Sequence, residues 1–280
     1  MKRILIAGAA FASLLAATNA FAADLPVYSK APAVAAVYDW TGFYIGTNLG
    51  YSWGRASTNG TAIGTQATPP VVTPVSGLLS GRADVNGFIG GGQLGYNWQF
   101  GSWLAGLEGD IQFSNERATG DVVCTLGVAV CPTFTRDYKL DWFGTARGRV
   151  GFLPAERILL YATGGLAYGK FSGSSLMGVG GGAAAGINAL DFGQWSFLRA
   201  GWTVGGGVEA ALGSNWSIKF EYLYMDLGNV GGTTANNIVS VNGRTTTALT
   251  YVFNTRFTDS IARVGVNYKF GGPEAIVARY

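Results

Sequence analysis

The stretch Arg263-Val264-Gly265-Val266-Asn267-Tyr268-Lys269-Phe270 alternates between apolar side chains and charged, polar or glycine positions. A period of two predicts a β-strand, because successive side chains of a strand point to opposite faces. One face of this strand is apolar, and the other carries arginine, asparagine and lysine. Such a strand is typical of a membrane β-barrel, whose wall contacts hydrocarbon and whose interior is polar.

Seven other segments show the same alternation and end in turn residues, which gives eight candidate strands. They are 42–53, 86–100, 103–116, 138–152, 158–171, 198–212, 215–227 and 257–270. Short turns at 101–102, 154–156 and 213–214 alternate with long polar segments at 54–85, 117–137, 172–197 and 228–256. Bacterial barrels keep short turns in the periplasm and long loops outside the cell. The sequence therefore predicts an all-β fold, an eight-stranded antiparallel transmembrane β-barrel with four long extracellular loops and short periplasmic turns.

The amino-terminal segment predicts export to the envelope. Lys2 and Arg3 precede an apolar run at 4–17 that is too short to span a bilayer, and Ala20-Phe21-Ala22 offers a cleavage site of small residues. We predict a signal peptide at 1–22, a periplasmic N-terminal linker at 23–40, the outer-membrane barrel at 41–270 and a periplasmic C-terminal tail at 271–280. The predicted location is the cell outer membrane.

The composition excludes several classes of function. Charged residues make up 12% of the chain, against about 25% in a typical soluble domain, while aromatic residues reach 13%. The net charge is only +3 and no basic run is present, so we expect no nucleic-acid partner. The chain has no histidine, which excludes Ser-His-Asp triads and most zinc sites. We therefore expect no catalytic site, no metal and no cofactor, and we interpret the chain as a non-enzyme.

The charged residues of the candidate strands fall on the face that we assign to the interior. An arginine or lysine in contact with lipid at the bilayer midplane costs about 2–4 kcal/mol, so the opposite assignment is excluded. The predicted lumen charge network is Glu108, Asp110, Asp141, Arg147, Arg149, Arg199, Glu209, Lys219, Glu221, Arg263 and Lys269. An eight-stranded barrel is just wide enough for its own side chains, and buried charges need partners. We expect Glu108 and Asp110 to lie near Arg147 and Arg149, in a mostly occluded lumen.

Cys124 and Cys131 lie close together in the second long segment. In an oxidising compartment, an isolated pair of this kind predicts a disulfide. Closing so short a loop contributes about 2–3 kcal/mol in the chain-entropy model. We expect this bond to rigidify an exposed loop.

Six stretches together resemble the outer-membrane immunogenic proteins of alphaproteobacteria, a family similar to the eight-stranded transmembrane domain of OmpA. They are Trp40-Thr41-Gly42-Phe43-Tyr44-Ile45-Gly46, 91–98, 142–149, 161–169, Glu221-Tyr222-Leu223-Tyr224 and 266–270. The spacing of Arg263, Gly265, Tyr268 and Phe270 also resembles the signal that the barrel assembly machinery reads. The resemblance implies a surface-exposed barrel that contributes to envelope integrity.

We predict a structural, surface-presenting (antigen-like) role. Two alternatives stay open: a narrow porin-like channel for small solutes or ions, and an adhesin or receptor that acts through the extracellular loops. The expected partners are outer-membrane lipid and lipopolysaccharide, the barrel assembly machinery, and peptidoglycan in contact with the termini. The sequence does not identify a partner for the extracellular loops.

Overall fold

The computed structural model divides the chain into two units, residues 1–36 and 37–280. It describes residues 38–126, 133–178, 190–241 and 245–271, all of them in the second unit. The described strands are β1 (Gly42–Thr68), β2 (Val71–Phe100), β3 (Trp103–Ser114), β4 (Arg117–Leu126), β5 (Thr133–Ala155), β6 (Ile158–Gly178), β7 (Leu190–Ala211), β8 (Trp216–Val241) and β9 (Thr245–Lys269). Within these ranges, no helix is long and apolar enough to cross a membrane.

The strands form a closed antiparallel barrel, because β1 pairs with both β2 and β9. The first strand thus completes the ring with the last. β3 and β4 each pair with both β2 and β5, so they are two halves of one barrel strand that is interrupted at Asn115 and Glu116. Asn115 bridges the interruption, since its Oδ1 accepts a hydrogen bond of 2.8 Å from the backbone N–H of Phe88. The predicted eight-stranded barrel is confirmed.

The structure corrects the predicted ends of the strands on one side of the barrel. β1 and β2 pair continuously from Gly42 with Asn97 to Thr68 with Val71, around a turn at Pro69 and Pro70. The segment 54–85, predicted as a loop, is therefore almost entirely strand. Parts of the other three long segments are strand as well, and they extend β4 to β9. Backbone pairing satisfies the peptide groups of these polar segments, although their side chains lack the apolar alternation from which strands were predicted.

The outward side chains form an apolar belt around the whole circumference of the barrel, in the half of its height that lies nearer the short turns. Leu49 of β1 is 75% exposed, and comparable residues occur on each neighbouring strand. The belt includes Phe43, Ile45, Trp53, Phe88, Leu94, Trp98, Phe100, Trp103, Leu107, Ile111, Phe113, Val150, Phe152, Leu160, Leu166, Tyr168, Leu198, Trp202, Val204, Trp216, Phe220, Tyr222, Val264, Val266 and Phe270. Aromatic pairs lie at both edges, for example Trp103 with Phe152 and Trp142 with Tyr168. An apolar band between aromatic girdles matches a lipid bilayer.

The interior is layered. At the short-turn end, Trp40 donates a hydrogen bond of 3.1 Å from Nε1 to the carbonyl oxygen of Glu156 and packs in an apolar short-turn cluster. That cluster consists of Tyr38, Trp40, Leu104, Leu153, Leu159, Tyr161 and Ala211. Farther along, towards the long hairpins, lies a larger hairpin-side cluster of Ala56, Ala83, Val85, Ile89, Tyr138, Leu140, Phe143, Ala167, Phe171, Leu223, Met225, Leu227, Phe257 and Ile261. The charged site lies between these two apolar layers.

Candidate functional site: the charged interior

Arg147 of β5 makes contacts with three carboxyl groups. Its Nη1 lies 3.0 Å from Glu221 Oε1, and its Nη2 lies 2.9 Å from Asp110 Oδ2. The same Nη2 forms an ion pair with Glu108, the residue directly opposite on β3. Arg147 Nε donates to Thr145 Oγ1 at 2.9 Å. One buried guanidinium therefore joins β3 and β5 to β8 on the far side of the barrel.

Arg263 and Lys219 complete the centre of the network. Arg263 Nε donates to Glu221 Oε2 at 2.7 Å, and its Nη2 donates to Asp110 Oδ2 at 3.0 Å. Lys219 Nζ lies 2.9 Å from both carboxylate oxygens of Glu108. Each carboxylate thus contacts more than one cation, as buried charges require.

Arg149 anchors the side of the network that faces the short turns. Its Nη1 lies 3.2 Å from Glu209 Oε2, and its Nε donates to Asn97 Oδ1 at 2.8 Å. The guanidinium also lies over the rings of Tyr44 and Tyr161, at 4.8 and 5.4 Å from their centroids. An arginine over an aromatic face gains a cation–π attraction that strengthens when water is excluded.

Two buried tyrosines belong to the network although they were not predicted as site residues. Tyr44 Oη donates to Glu108 Oε2 at 2.7 Å, and Tyr161 Oη donates to Glu221 Oε1 at 3.0 Å. Both lie on the inward face of their strands, so their inward position could have been predicted from the alternation of side chains along each strand. Gly95 leaves room for one of these rings, because a Cβ there would overlap Tyr44 Oη.

Eight of the eleven predicted charges come together in this site: Glu108, Asp110, Glu209, Glu221, Arg147, Arg149, Lys219 and Arg263. Four are acids and four are bases, so the charge of this network balances. Side chains from all eight barrel strands take part, because Tyr44, Asn97 and Tyr161 supply the contributions of β1, β2 and β6. The arrangement links the strands across the interior by ion pairs and hydrogen bonds.

The structure places the other three predicted charges elsewhere. Asp141 lies at an irregularity of β5 between Leu140 and Trp142, and it pairs with Lys139 at 2.6 Å. A one-residue irregularity changes which face a side chain occupies, and this explains the wrong assignment. Arg199 lies over the ring of Phe197, 5.5 Å from its centroid. Lys269 is buried, but its Nζ donates to the carbonyl oxygen of Asp39 below the network.

Glu116 and Asp259 are buried carboxyl groups that were not predicted, as is Asp226, which pairs with Arg256. Asp259 lies on the same strand face as Arg263, so its inward position could have been inferred from the alternation. Ser52 Oγ donates to Asp259 Oδ1, and Ser114 Oγ donates to Glu116 Oε1 at 2.9 Å. Among the described residues, neither carboxyl group has an ion pair within 4.0 Å.

The predicted disulfide cannot be compared with this geometry, because Cys131 lies outside the described residues. The predicted signal peptide and the tail beyond Gly271 also lie outside them, as does all but the last part of the linker. These assignments stay predictions. Of the predicted assembly signal, Arg263 and Gly265 face inward, whereas Phe270 is exposed beside Phe43.

Comparison with known proteins identifies the family. The family described as "Outer membrane protein beta-barrel domain" matches residues 7–270. The chain is 36% identical to the 31 kDa outer-membrane immunogenic protein of Brucella melitensis, over 96% of this chain and all of that protein. It is 28% identical to the 25 kDa outer-membrane immunogenic protein of Brucella abortus, over 96% of this chain and 99% of that protein.

Among solved structures, the outer membrane protein OprG of Pseudomonas aeruginosa aligns with 85% of this chain and 100% of its own, at 11% identity and a TM-score of 0.39. Family membership rests on the sequence relatives rather than on this alignment. The chain belongs to the outer membrane β-barrel family, as a relative of the alphaproteobacterial outer-membrane immunogenic proteins, and its location is the outer membrane.

Proposed function

We propose that this protein is a structural and surface-presenting barrel whose lumen does not conduct and which has no enzymatic role. The observation that carries the proposal is the filled interior. Trp40 and its neighbours occupy the short-turn end, balanced ion pairs occupy the middle, and aromatic and aliphatic side chains occupy the hairpin side. A water path would have to cross all three layers.

The energetics of the middle layer favour an occluded lumen over the alternative of a narrow channel. Leaving one buried charge without its partner costs about 3–5 kcal/mol. Arg147 reaches Glu221 across the barrel and Arg263 contacts the same carboxylate from the adjacent strand, so opening a path separates several pairs at once. The sum approaches the total stability of a typical domain, about 5–15 kcal/mol.

The long hairpins support a role in surface presentation. β1 and β2 extend well beyond Trp53 and Phe88 of the apolar belt and carry polar side chains to their turn at Pro69. Ile63 and Leu78 are exposed on the outward face of this extension, at 58% and 69%. Contiguous exposed apolar side chains outside the lipid-facing band mark contact sites for other macromolecules, and Ile63 and Leu78 are diagonal neighbours across the β1–β2 pair. This observation favours the second alternative, an adhesin or receptor, over a channel.

Electrical recording in planar bilayers tests the occluded lumen. We expect no steady openings from the purified barrel, whereas a large porin in the same membrane conducts. A gel-mobility shift on boiling checks that the inserted protein is folded. Steady and reproducible openings from the folded wild type would contradict the proposal.

Antibody binding to intact cells tests the surface role. A variant in which residues 60–79 are replaced by Asn-Gly keeps the pair Asn59–Ser80 and closes the strands with a turn suited to a hairpin. Antibodies raised against the removed hairpin should bind wild-type cells and ignore cells that carry the variant. Binding to wild-type cells only after the outer membrane is permeabilised would place the hairpins on the periplasmic side and contradict the surface role.

A further inference from the structure

Three basic side chains lie on the outer wall just beyond the apolar belt. Arg117 of β4 and Lys170 of β6 are exposed, and the Lys139 side chain between them is 43% exposed. Farther along the same strands towards the short turns lie the belt residues Trp142 and Tyr168, whose rings form an edge contact. The bases therefore occupy the height at which the lipid headgroups of the outer leaflet begin, given that the long hairpins face outward.

The strand register brings like charges together at this place. Arg117 lies directly opposite Lys139, and Lys170 lies opposite Trp142 on the other side of β5. Like charges directly opposite one another destabilise a strand pair. Elsewhere beyond the belt, Arg256 has Asp226 as a close partner and Arg55 has Asp84 at 3.6 Å.

Carboxylates offset only part of this charge. Asp141 pairs with Lys139 at 2.6 Å and accepts a hydrogen bond of 2.9 Å from Ser172 Oγ. Asp137 accepts hydrogen bonds from Thr119 Oγ1 and Ser174 Oγ at 2.7 and 3.0 Å. Within the part of the chain that the structure describes, Arg117 and Lys170 have no carboxylate within 4.0 Å.

The three bases line a cleft of about 1000 Å³ that also holds several donors and acceptors of hydrogen bonds. These are Thr119, Ser172, Ser174, Gln194 and Ser196, and the carboxylates of Asp137 and Asp141 line the cleft as well, which leaves it a net charge of +1. Arginine and lysine are the usual ligands of phosphate groups, and hydroxyl and amide groups match the hydroxyls of a sugar. A cleft with both kinds of group suits a phosphorylated sugar.

We propose that this cleft binds the phosphorylated sugar headgroup of lipopolysaccharide in the outer leaflet. Arg117 and Lys170 contact the phosphate, while the acyl chains lie along the belt at Trp142, Tyr168 and Leu198. A lipid fits the position of the cleft better than a free anion does, because the same strands continue into the lipid-facing belt. The site lies on the outside of the wall, so the inference does not depend on the occluded lumen.

The test compares the wild type with Arg117→Gln/Lys170→Gln in vesicles that contain bisphosphorylated lipid A. The readout is the temperature at which half the barrel loses its folded gel mobility. A ligand that binds the folded state but not the unfolded state raises this temperature. For the wild type, we expect the temperature in vesicles with bisphosphorylated lipid A to be about 5 °C higher than in vesicles with dephosphorylated lipid A. The double variant should lose most of this rise.

Two control variants isolate the site. Arg55→Gln/Arg82→Gln removes the same charge from another face beyond the belt, and it should keep the full rise. Arg117→Lys/Lys170→Arg keeps the charge of the cleft and should also keep most of the rise. Should the charge-removing variant fail to fold, Lys170→Gln alone should show a partial loss.

Three outcomes would overturn the proposal. One is a full rise in the folded charge-removing variant. Another is an equal rise with dephosphorylated lipid A, which would exclude the phosphate as the ligand. The third is an equal rise with inorganic phosphate in vesicles without lipid A, which would assign the cleft to soluble anions.

Discussion

Arg147 illustrates how a single residue holds the interior together. It contacts Glu108, Asp110 and Glu221, and its side chain is fully buried. The alternation of facing along β5 was enough to predict its inward position. The partner on β8 was not predictable, since contacts across the barrel depend on the tilt of the strands rather than on sequence spacing.

Removing this guanidinium should destabilise the barrel strongly. Arg147→Gln leaves three carboxyl groups without their shared cation, and we expect a loss of about 3–5 kcal/mol in the free energy of unfolding, measured by urea titration in vesicles. Arg55→Gln removes an arginine from an exposed pair and should cost less than about 1 kcal/mol. Equal losses in the two variants would contradict the importance of the buried pairs.

Gly95 gives a second prediction at this scale. A Cβ there would lie 2.5 Å from Tyr44 Cζ and 2.6 Å from the carbonyl oxygen of Leu107, so Gly95→Ala forces the ring or the backbone to move. We expect a loss of about 1–3 kcal/mol by urea unfolding, as in other overpacked cores. At Gly109 the nearest atom to a Cβ lies 3.8 Å away, so Gly109→Ala serves as the matched control. A stable Gly95→Ala variant would argue against this tight packing.

Among the elements, the short turns were predicted well because glycine, serine and proline mark them in the sequence. The extension of the strands into the long hairpins was not predicted, because a strand can be recognised in the sequence by alternation only where one of its faces is apolar. Beyond the belt, inward positions such as Ala56 and Thr58 alternate with polar outward residues. The pattern there is too weak to separate a strand from a loop, although backbone pairing continues for many residues.

The interruption between β3 and β4 places Glu116 in the interior without a described cation. Asp259 repels it electrostatically. Because burying a charge without a partner is costly, Glu116→Gln should raise the free energy of unfolding by about 1 kcal/mol or more. The amide oxygen can still accept the hydrogen bond from Ser114.

The contrasting variant is Glu108→Gln, which removes a paired carboxylate and should lower the stability. Both variants are measured by urea titration under the same conditions. Stability changes of the same sign in the two variants would contradict the prediction that the carboxylate of Glu108 stabilises the fold and that of Glu116 destabilises it.

For the whole molecule, composition, charge distribution and strand alternation predicted an outer-membrane barrel, and the family comparison confirmed it. The balance of four acids and four bases in the central network emerges only from the closed ring, because Asp141, Arg199 and Lys269 lie elsewhere. The chemistry of the outer cleft was also invisible in the sequence. Arg117 and Lys139 are distant along the chain, and the strand register alone makes them neighbours.

The layered interior predicts that loss of one layer does not open the barrel. Trp40→Ala removes the largest side chain at the short-turn end, yet the ion pairs beyond it stay in place. We therefore expect the variant to remain electrically silent in planar bilayers while its unfolding temperature falls. Steady openings from Trp40→Ala would show that the tryptophan alone seals the lumen.

The pairing of β1 with β9 makes closure of the ring depend on the last strand. Arg263, which neutralises Asp110 and Glu221, belongs to the strand that the ribosome makes last of the nine. Without β9, β1 and β8 would each keep an unpaired edge, and the central network would hold four acids against three bases. A chain truncated before β9 should therefore fail to close its ring, and it should lack the folded gel mobility of the full-length protein.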